Sequence, residues 1–316
     1  MSQMTTGADG VHFGVTLPQI KRTWAEARDA ALDFERLGFD SVWVCDHLQG
    51  VPAPQLDILE AWSLLAAVAA VTERVELGTL VTPPGFRNPA VLAKQAATVD
   101  VIAGGRVVVG LGSGWAEPEF VGYGLPFPPV AERMQALRET AELLPRLWTE
   151  DVVTYAGTFA RADGAYCAPK PVRRPPLLIG GSGEKVLMRI AAEHADVWNN
   201  GAVTQDQLAH KIAVLRDHCR AVGRDPAEVT VSQQCNVVLV ASEAEAPEAL
   251  AKATRIYGPM AAALEEHGIW GSPSRVTDAI HRHVELGCTH FVMELFGRDP
   301  RTPARLFADH VLPAFR

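Results

Sequence analysis

Short apolar runs and helix-patterned stretches take turns along this chain, and that alternation limits the fold more than any single motif. Val11–Leu17, Ser41–Cys45, Val75–Val81 and Val107–Leu111 are mostly apolar runs of strand length, as expected of strands buried on both faces. Between them, Trp24–Leu37, Leu56–Val71 and Pro89–Ile102 carry apolar residues at helical spacing. Gly38 stops the first of these helices, while Asn88 and Pro89 open the third as N-cap and first helical residue. The rhythm then breaks. Glu117–Pro129 reads as a glycine- and proline-rich loop, Val130–Trp148 as a helix, and Asp151–Arg174 as a hairpin insertion turning at Gly157 and at Asp163-Gly164. Strands resume at Leu177–Ile179, Asp196–Asn199, Val229–Val240 and His290–Phe296, interleaved with helices at Glu184–His194, Gln205–Val222 and Ala304–Phe315. Repeated strand–helix units with no linker predict an α/β fold: a (β/α)8 TIM barrel forming one domain over residues 1–316, with the insertion at 151–174. A doubly wound open sheet is the competing topology.

Composition narrows the partners. The chain has 316 residues, a formal net charge of −8 and no basic cluster interleaved with aromatics, which argues against nucleic acid. Five cysteines, at 45, 167, 219, 235 and 288, form no C-x-x-C pair, so neither a disulfide framework nor a zinc site is expected. The opening MSQMTTGADG lacks the apolar core of a signal peptide, and Ala61–Val71 is too short to span a bilayer. The expectation is a cytoplasmic protein without a membrane partner.

In a barrel of this type the chemistry sits where the strands end. That rule selects Asp46 and His47 after strand two, Thr79, Leu80 and Val81 on strand three, and Gly112, Ser113 and Trp115 after strand four. It also selects Gly180, Gly181, Ser182 and Gly183 after strand five, Asn199 and Asn200 after strand six, and Glu294 on strand eight. Gly180–Gly183 feeds a helix, where unpaired N–H groups suit a phosphate, although a ligand-free tight turn explains the same glycines. His47 is the histidine that follows a strand end; it can exchange a proton with a bound ring, or be structural. Asp46 could orient that imidazole or simply cap a loop. Trp115 could wall a ring site, and Asn199 could bond a polar ring edge or turn the chain. No acidic cluster suits a metal, and no G-x-S-x-G elbow suits a serine hydrolase.

Seven ordered blocks carry a resemblance to a known family: LGFDSVWVCDH at 37–47, ELGTLVTPPGFRNPAVLAKQAATVD at 76–100, GGRVVVGLGSGWAEPEF at 104–120, PFPPVAERM at 126–134, APKPV at 168–172, LLIGGSGEK at 177–185 and ADVWN at 195–199. The chain resembles the luciferase-like flavin and deazaflavin oxidoreductases, most of all their actinobacterial members dependent on coenzyme F-420. The resemblance implies a ring lying across the barrel mouth, propped by a bulge with a non-proline cis peptide that would fall between Leu80 and Val81. It further implies a cofactor phosphate at 180–183 and His47 beside the ring, assisting hydride transfer. Some of those members carry a glutamate where this chain has Trp115, so the proton donor opposite His47 is left unassigned. Hydride transfer between F-420 and a small organic substrate is the leading expectation. An FMN-dependent monooxygenase using oxygen, and a non-catalytic flavin-binding subunit, are the alternatives. A homodimer is expected, with substrate choice left to the loops at 49–55, 117–129 and 257–270.

Overall fold

The computed structural model describes residues 10–51, 53–201, 204–258, 264–297 and 299–316. Residues 1–9, position 52 and positions 259–263 lie outside it, and with them parts of the polar N-terminus and of two of the loops expected to select substrate.

The chain begins with β1 (His12–Thr16), α1 (Trp24–Arg36), β2 (Ser41–Val44), α2 (Ala61–Ala69), β3 (Glu76–Thr79), α3 (Pro89–Ile102) and β4 (Val107–Leu111). Next come α4 (Glu117–Gly122), α5 (Val130–Thr149) and a two-stranded antiparallel hairpin, β5 (Val153–Ala156) with β6 (Arg161–Ala165). Then follow β7 (Leu177–Gly180), α6 (Leu187–His194), β8 (Val197–Asn200), α7 (Gln205–Ala221) and β9 (Thr230–Leu239). The last part holds α8 (Ala246–Tyr257), α9 (Leu264–His267), β10 (Ile269–Gly271), α10 (Pro273–Leu286), β11 (Cys288–Leu295) and α11 (Arg301–His310). Strands β1, β2, β3, β4, β7, β8, β9 and β11 pair in parallel and close on themselves through β8–β9, so the expected (β/α)8 barrel is the fold and the open sheet is excluded. The long β9 divides its edge: residues 230–233 pair with β8, and residues 237–239 pair with β10.

Several boundaries differ from the sequence reading, each for a local reason. Glu60 accepts from the amides of Trp62 and Ser63, so α2 starts at Ala61 rather than at Leu56. The stretch read as a loop after strand four contains α4. Asp163-Gly164 lies within β6, and the hairpin turns between Ala156 and Arg161 instead. Glu139 makes that turn by accepting from the amides of Phe159 (2.6 Å) and Ala160 (2.9 Å). The last helix starts at Arg301, three residues earlier than expected.

Inside the barrel, alternate residues of each strand face the axis and sort into layers. At the bottom is a polar layer. His12 Nε2 lies 2.9 Å from Ser41 Oγ, His290 Nδ1 lies 2.6 Å from Ser232 Oγ, and Arg173 donates to Glu76 at 2.7 Å. Burial, with His12 alongside, holds His290 well below the ordinary imidazole range, so it sits there neutral. Above it Trp43, Val108, Leu178, Val197 and Val292 form an apolar layer on which Leu80 and Val81 pack. Trp43 spans much of the bore, and its indole N–H donates to Ser41 Oγ at 2.7 Å.

The indole fits only because Gly14 and Gly78 flank it; a methyl group at either would collide with the ring. Replacement of Gly78 by alanine should therefore destabilise the fold by about 1–3 kcal/mol, as overpacking does. Chemical denaturation of the variant against wild type measures this, and an unchanged midpoint would refute the glycine seat.

Candidate active site

Above the apolar layer the barrel opens into a cavity of about 1970 Å³, larger than a drug-sized pocket and roomy enough for a tricyclic ring with a substrate beside it. Asp46, His47, Leu80, Val81, Trp115, Gly180, Gly181, Ser182 and Asn199 all line it. The Leu80–Val81 peptide is cis. The cavity does not reach every residue singled out from the sequence. Thr79 is fully buried and trades hydrogen bonds with Gly110 across the strands, at 2.9 and 3.1 Å. Gly112 leaves room for Val81, whose methyl a side chain there would strike. Ser113 and Gly183 are not on the cavity wall.

His47 follows β2, and its partner is a residue the strand-end rule passed over. Glu119 is buried on α4; its Oε2 lies 2.9 Å from His47 Nδ1, while Oε1 accepts the amides of Leu48 and of Gln49 (3.2 Å). With two main-chain N–H groups donating to it, the carboxylate is set as an acceptor towards the ring. Nδ1 then carries the hydrogen and Nε2 is left as the acceptor. The placement follows from the next residue. Phe120 packs at 4.6 Å from Phe86 and 5.2 Å from Phe127, which pins α4 to the loop after β3. Gly85 and Gly114 give way to the Phe120 ring, the latter with φ +77, a backbone that suits glycine. Glu119 stands in the GWAEPEF block, but α4 read as loop hid it.

Asp46 does not orient the imidazole. It is buried and held by the Arg87 guanidinium and by the Thr82 hydroxyl at 2.7 Å, and Arg87 also donates to Glu60 at 2.8 Å. Trp62 donates its indole N–H to the same threonine at 3.1 Å. This network ties the loops after β2 and β3 to the start of α2, and so holds the wall on which His47 stands. Gln19 does similar work, donating to the carbonyls of Cys45 (2.8 Å) and Leu59 (2.6 Å). Burial, with Glu294 and Asp46 nearby, pushes the Cys45 thiol up to about 12, so it offers no nucleophile.

Trp115 is 69% exposed, and its indole meets the His47 ring edge to face with centroids 5.9 Å apart. The two make one aromatic corner of the cavity. Across the barrel, Gly181 takes φ +140, and its amide is already bonded to the Asn199 carbonyl at 2.9 Å. That N–H is therefore not free for a phosphate. Lys211 stands beside the loop, its ammonium donating to the Ser182 carbonyl at 2.9 Å and paired with Glu184 at 3.1 Å. Asn199 spends its side-chain N–H₂ on Ser232 at 2.7 Å. Among the described residues no group of three or more metal-ligating side chains forms.

Comparison with known proteins places the chain among relatives of the same fold. The family described as luciferase-like monooxygenase matches residues 7–292. An F-420-dependent glucose-6-phosphate dehydrogenase of Microbacterium testaceum is 32% identical, over 90% of this chain and 93% of that protein. An F-420-dependent secondary alcohol dehydrogenase, solved with an F-420–acetone adduct, superposes with a TM-score of 0.86 at 23% identity, over 97% of this chain and 99% of that one. A monooxygenase of Streptomyces bottropensis superposes at 0.78 with 24% identity, over 96% and 100% of the two chains. These two structures share the fold, and the same barrel evidently serves both kinds of chemistry.

Replacing Glu119 by glutamine keeps the acceptor for Leu48 and Gln49 but turns an N–H₂ towards His47. The ring hydrogen should move from Nδ1 to Nε2. Nitrogen-15 NMR of the His47 ring reads this directly, and an unaltered tautomer in the variant would refute the assigned pair.

Proposed function

The chain belongs to the luciferase-like monooxygenase family, and from that premise we propose that it is an oxidoreductase transferring a hydride between coenzyme F-420 and a small organic substrate. The observation that carries this reading is His47, whose Nε2 is held as a proton acceptor on the wall of a cavity that also reaches the glycine loop after β7. The residues fit a deazaflavin. Leu80 and Val81 offer an apolar floor, Trp115 an aromatic side, and Ser182 a polar end for a phosphate, with Lys211, itself paired to Glu184, beside it. When bound, that cofactor supplies two-electron hydride chemistry. The chain's own part is to exclude water, orient the substrate and move a proton at His47 Nε2, with Glu119 steadying the charged imidazole.

The proposed cofactor set is Leu80, Val81, Trp115, Gly180, Gly181, Ser182 and Asn199 from the cavity wall. Thr79, Gly112, Ser113 and Gly183 would act from behind it, and Asp46 through its hold on Arg87. A second reading keeps the site and uses FMN with oxygen; the monooxygenase neighbour favours it. The ordered His47–Glu119 pair disfavours a non-catalytic subunit. Fluorescence titration with F-420 and with FMN separates the first two, and tight FMN binding without F-420 binding would overturn the proposal. His47→Ala should lower turnover by about 10²–10⁴-fold while F-420 affinity stays within a few-fold.

No helix among the described residues is long and apolar enough to cross a membrane. We infer one cytoplasmic domain that works as a homodimer, supported by exposed Val101 and Ile102 on α3 and Val172. Light scattering on the purified protein should return twice the monomer mass; the monomer mass alone would refute the dimer.

A further inference from the structure

Of four buried or half-buried titratable groups deep on the cavity wall, three are already committed. Asp46 is held by Arg87, Glu119 by His47 and two amides, and the Cys45 thiol by Gln19 at 3.3 Å. Glu294 is the fourth. It has no hydrogen bond or ion pair among the described residues, and its side chain faces the cavity. Its place follows from the two-residue period of β11. His290 lies in the polar layer and Val292 in the apolar layer, so Glu294, next in the same file, stands at the cavity floor. It is level with Asn236 of β9, and Thr16, Cys45 and Gln234 line the same cavity.

Among the described residues no cation pairs with this carboxyl. Burial pushes it above the ordinary carboxylate range, and the titratable Cys45, also pushed up, lies just past β2, beyond the intervening β1. The charged residues nearer the mouth, among them Lys252, Asp299, Arg301 and Arg305, line the outer wall.

We propose that Glu294 is a ligand-binding carboxyl that hydrogen-bonds the polar edge of the cofactor ring from the cavity floor, donating from its protonated form. The proposal rests on the functional reading above. A neutral carboxyl opposite the glycine loop lets the cavity hold an anionic cofactor without setting a second negative charge against it. An ionised Glu294 could neither donate nor avoid that repulsion, so affinity falls as pH rises through its titration.

Equilibrium binding of F-420, followed by its fluorescence across the pH range in which the protein stays folded, tests this on the whole chain. Wild-type affinity should fall about tenfold or more with rising pH, the loss of one hydrogen bond. Glu294→Gln keeps a donor that cannot ionise, so its affinity should stay high and lose the part of the pH dependence due to Glu294. Glu294→Leu should bind about tenfold more weakly at the acid end. Any slope left in Glu294→Gln belongs to His47 or to the ring itself. A carboxyl stretching band in the infrared spectrum that disappears as pH rises, present in wild type and absent from Glu294→Gln, reports the proton without any cofactor. Equal pH profiles for wild type and Glu294→Gln, or full affinity in Glu294→Leu, would overturn the proposal while leaving F-420 dependence intact. No F-420 binding to wild type at any pH would defeat the functional reading, and this assignment with it.

Discussion

The indole of Trp43 decides where the packed interior of this barrel stops and its cavity begins. Eight parallel strands leave a bore that side chains must fill. Here one indole, seated between two glycines and bonded to Ser41, fills the middle level with help from four aliphatic residues. Below it the barrel is closed by paired polar groups, capped from underneath by Arg173. Above it nothing fills the bore, and the inward-facing positions become a floor. Every residue of the proposed site is placed relative to that level.

Two supports then shape the wall around His47, and they differ in kind. One is an ionic network that runs from the buried Asp46 through Arg87 to the half-exposed Glu60, with the remaining acceptors taken by Thr82 and by helix amides, the condition under which the charge on Asp46 is tolerated. The other is aromatic: Phe120 between Phe86 and Phe127 fixes a six-residue helix that could not hold its shape alone. Glu119 is brought into reach by its neighbour's packing and then set by the amides of Leu48 and Gln49. The His47–Glu119 pair, proposed above as the proton-handling one, keeps its geometry on such a frame before any ligand arrives.

The barrel was legible because its strands are buried on both faces and read as apolar runs, a signal that needs no tertiary context. The glycine loop and His47 were legible because strand ends can be located from those runs. Glu119 was not. It belongs to a short helix whose Glu-Pro-Glu start and nearby glycines look like loop, and its role depends on a contact with a residue 72 positions away in the chain. Asp46 shows the opposite failure. Adjacency to His47 suggested a partner, whereas successive residues after a strand point different ways, and Arg87 claims this carboxylate from another loop. Thr79 and Gly112 sit where strand ends were read, yet both serve the fit of neighbouring strands.

The divided edge of β9 protects the protein in solution. β8 ends at Asn200, so beyond Gln233 the longer strand would present bare N–H and C=O groups at the rim, open to pairing with a strand from another molecule. The three residues Ile269–Gly271 occupy that stretch. A barrel whose strands differ in length thus ends here in a three-residue edge strand, too short to serve as a good template for aggregation, and the rim can stay open to ligands without inviting a neighbouring chain.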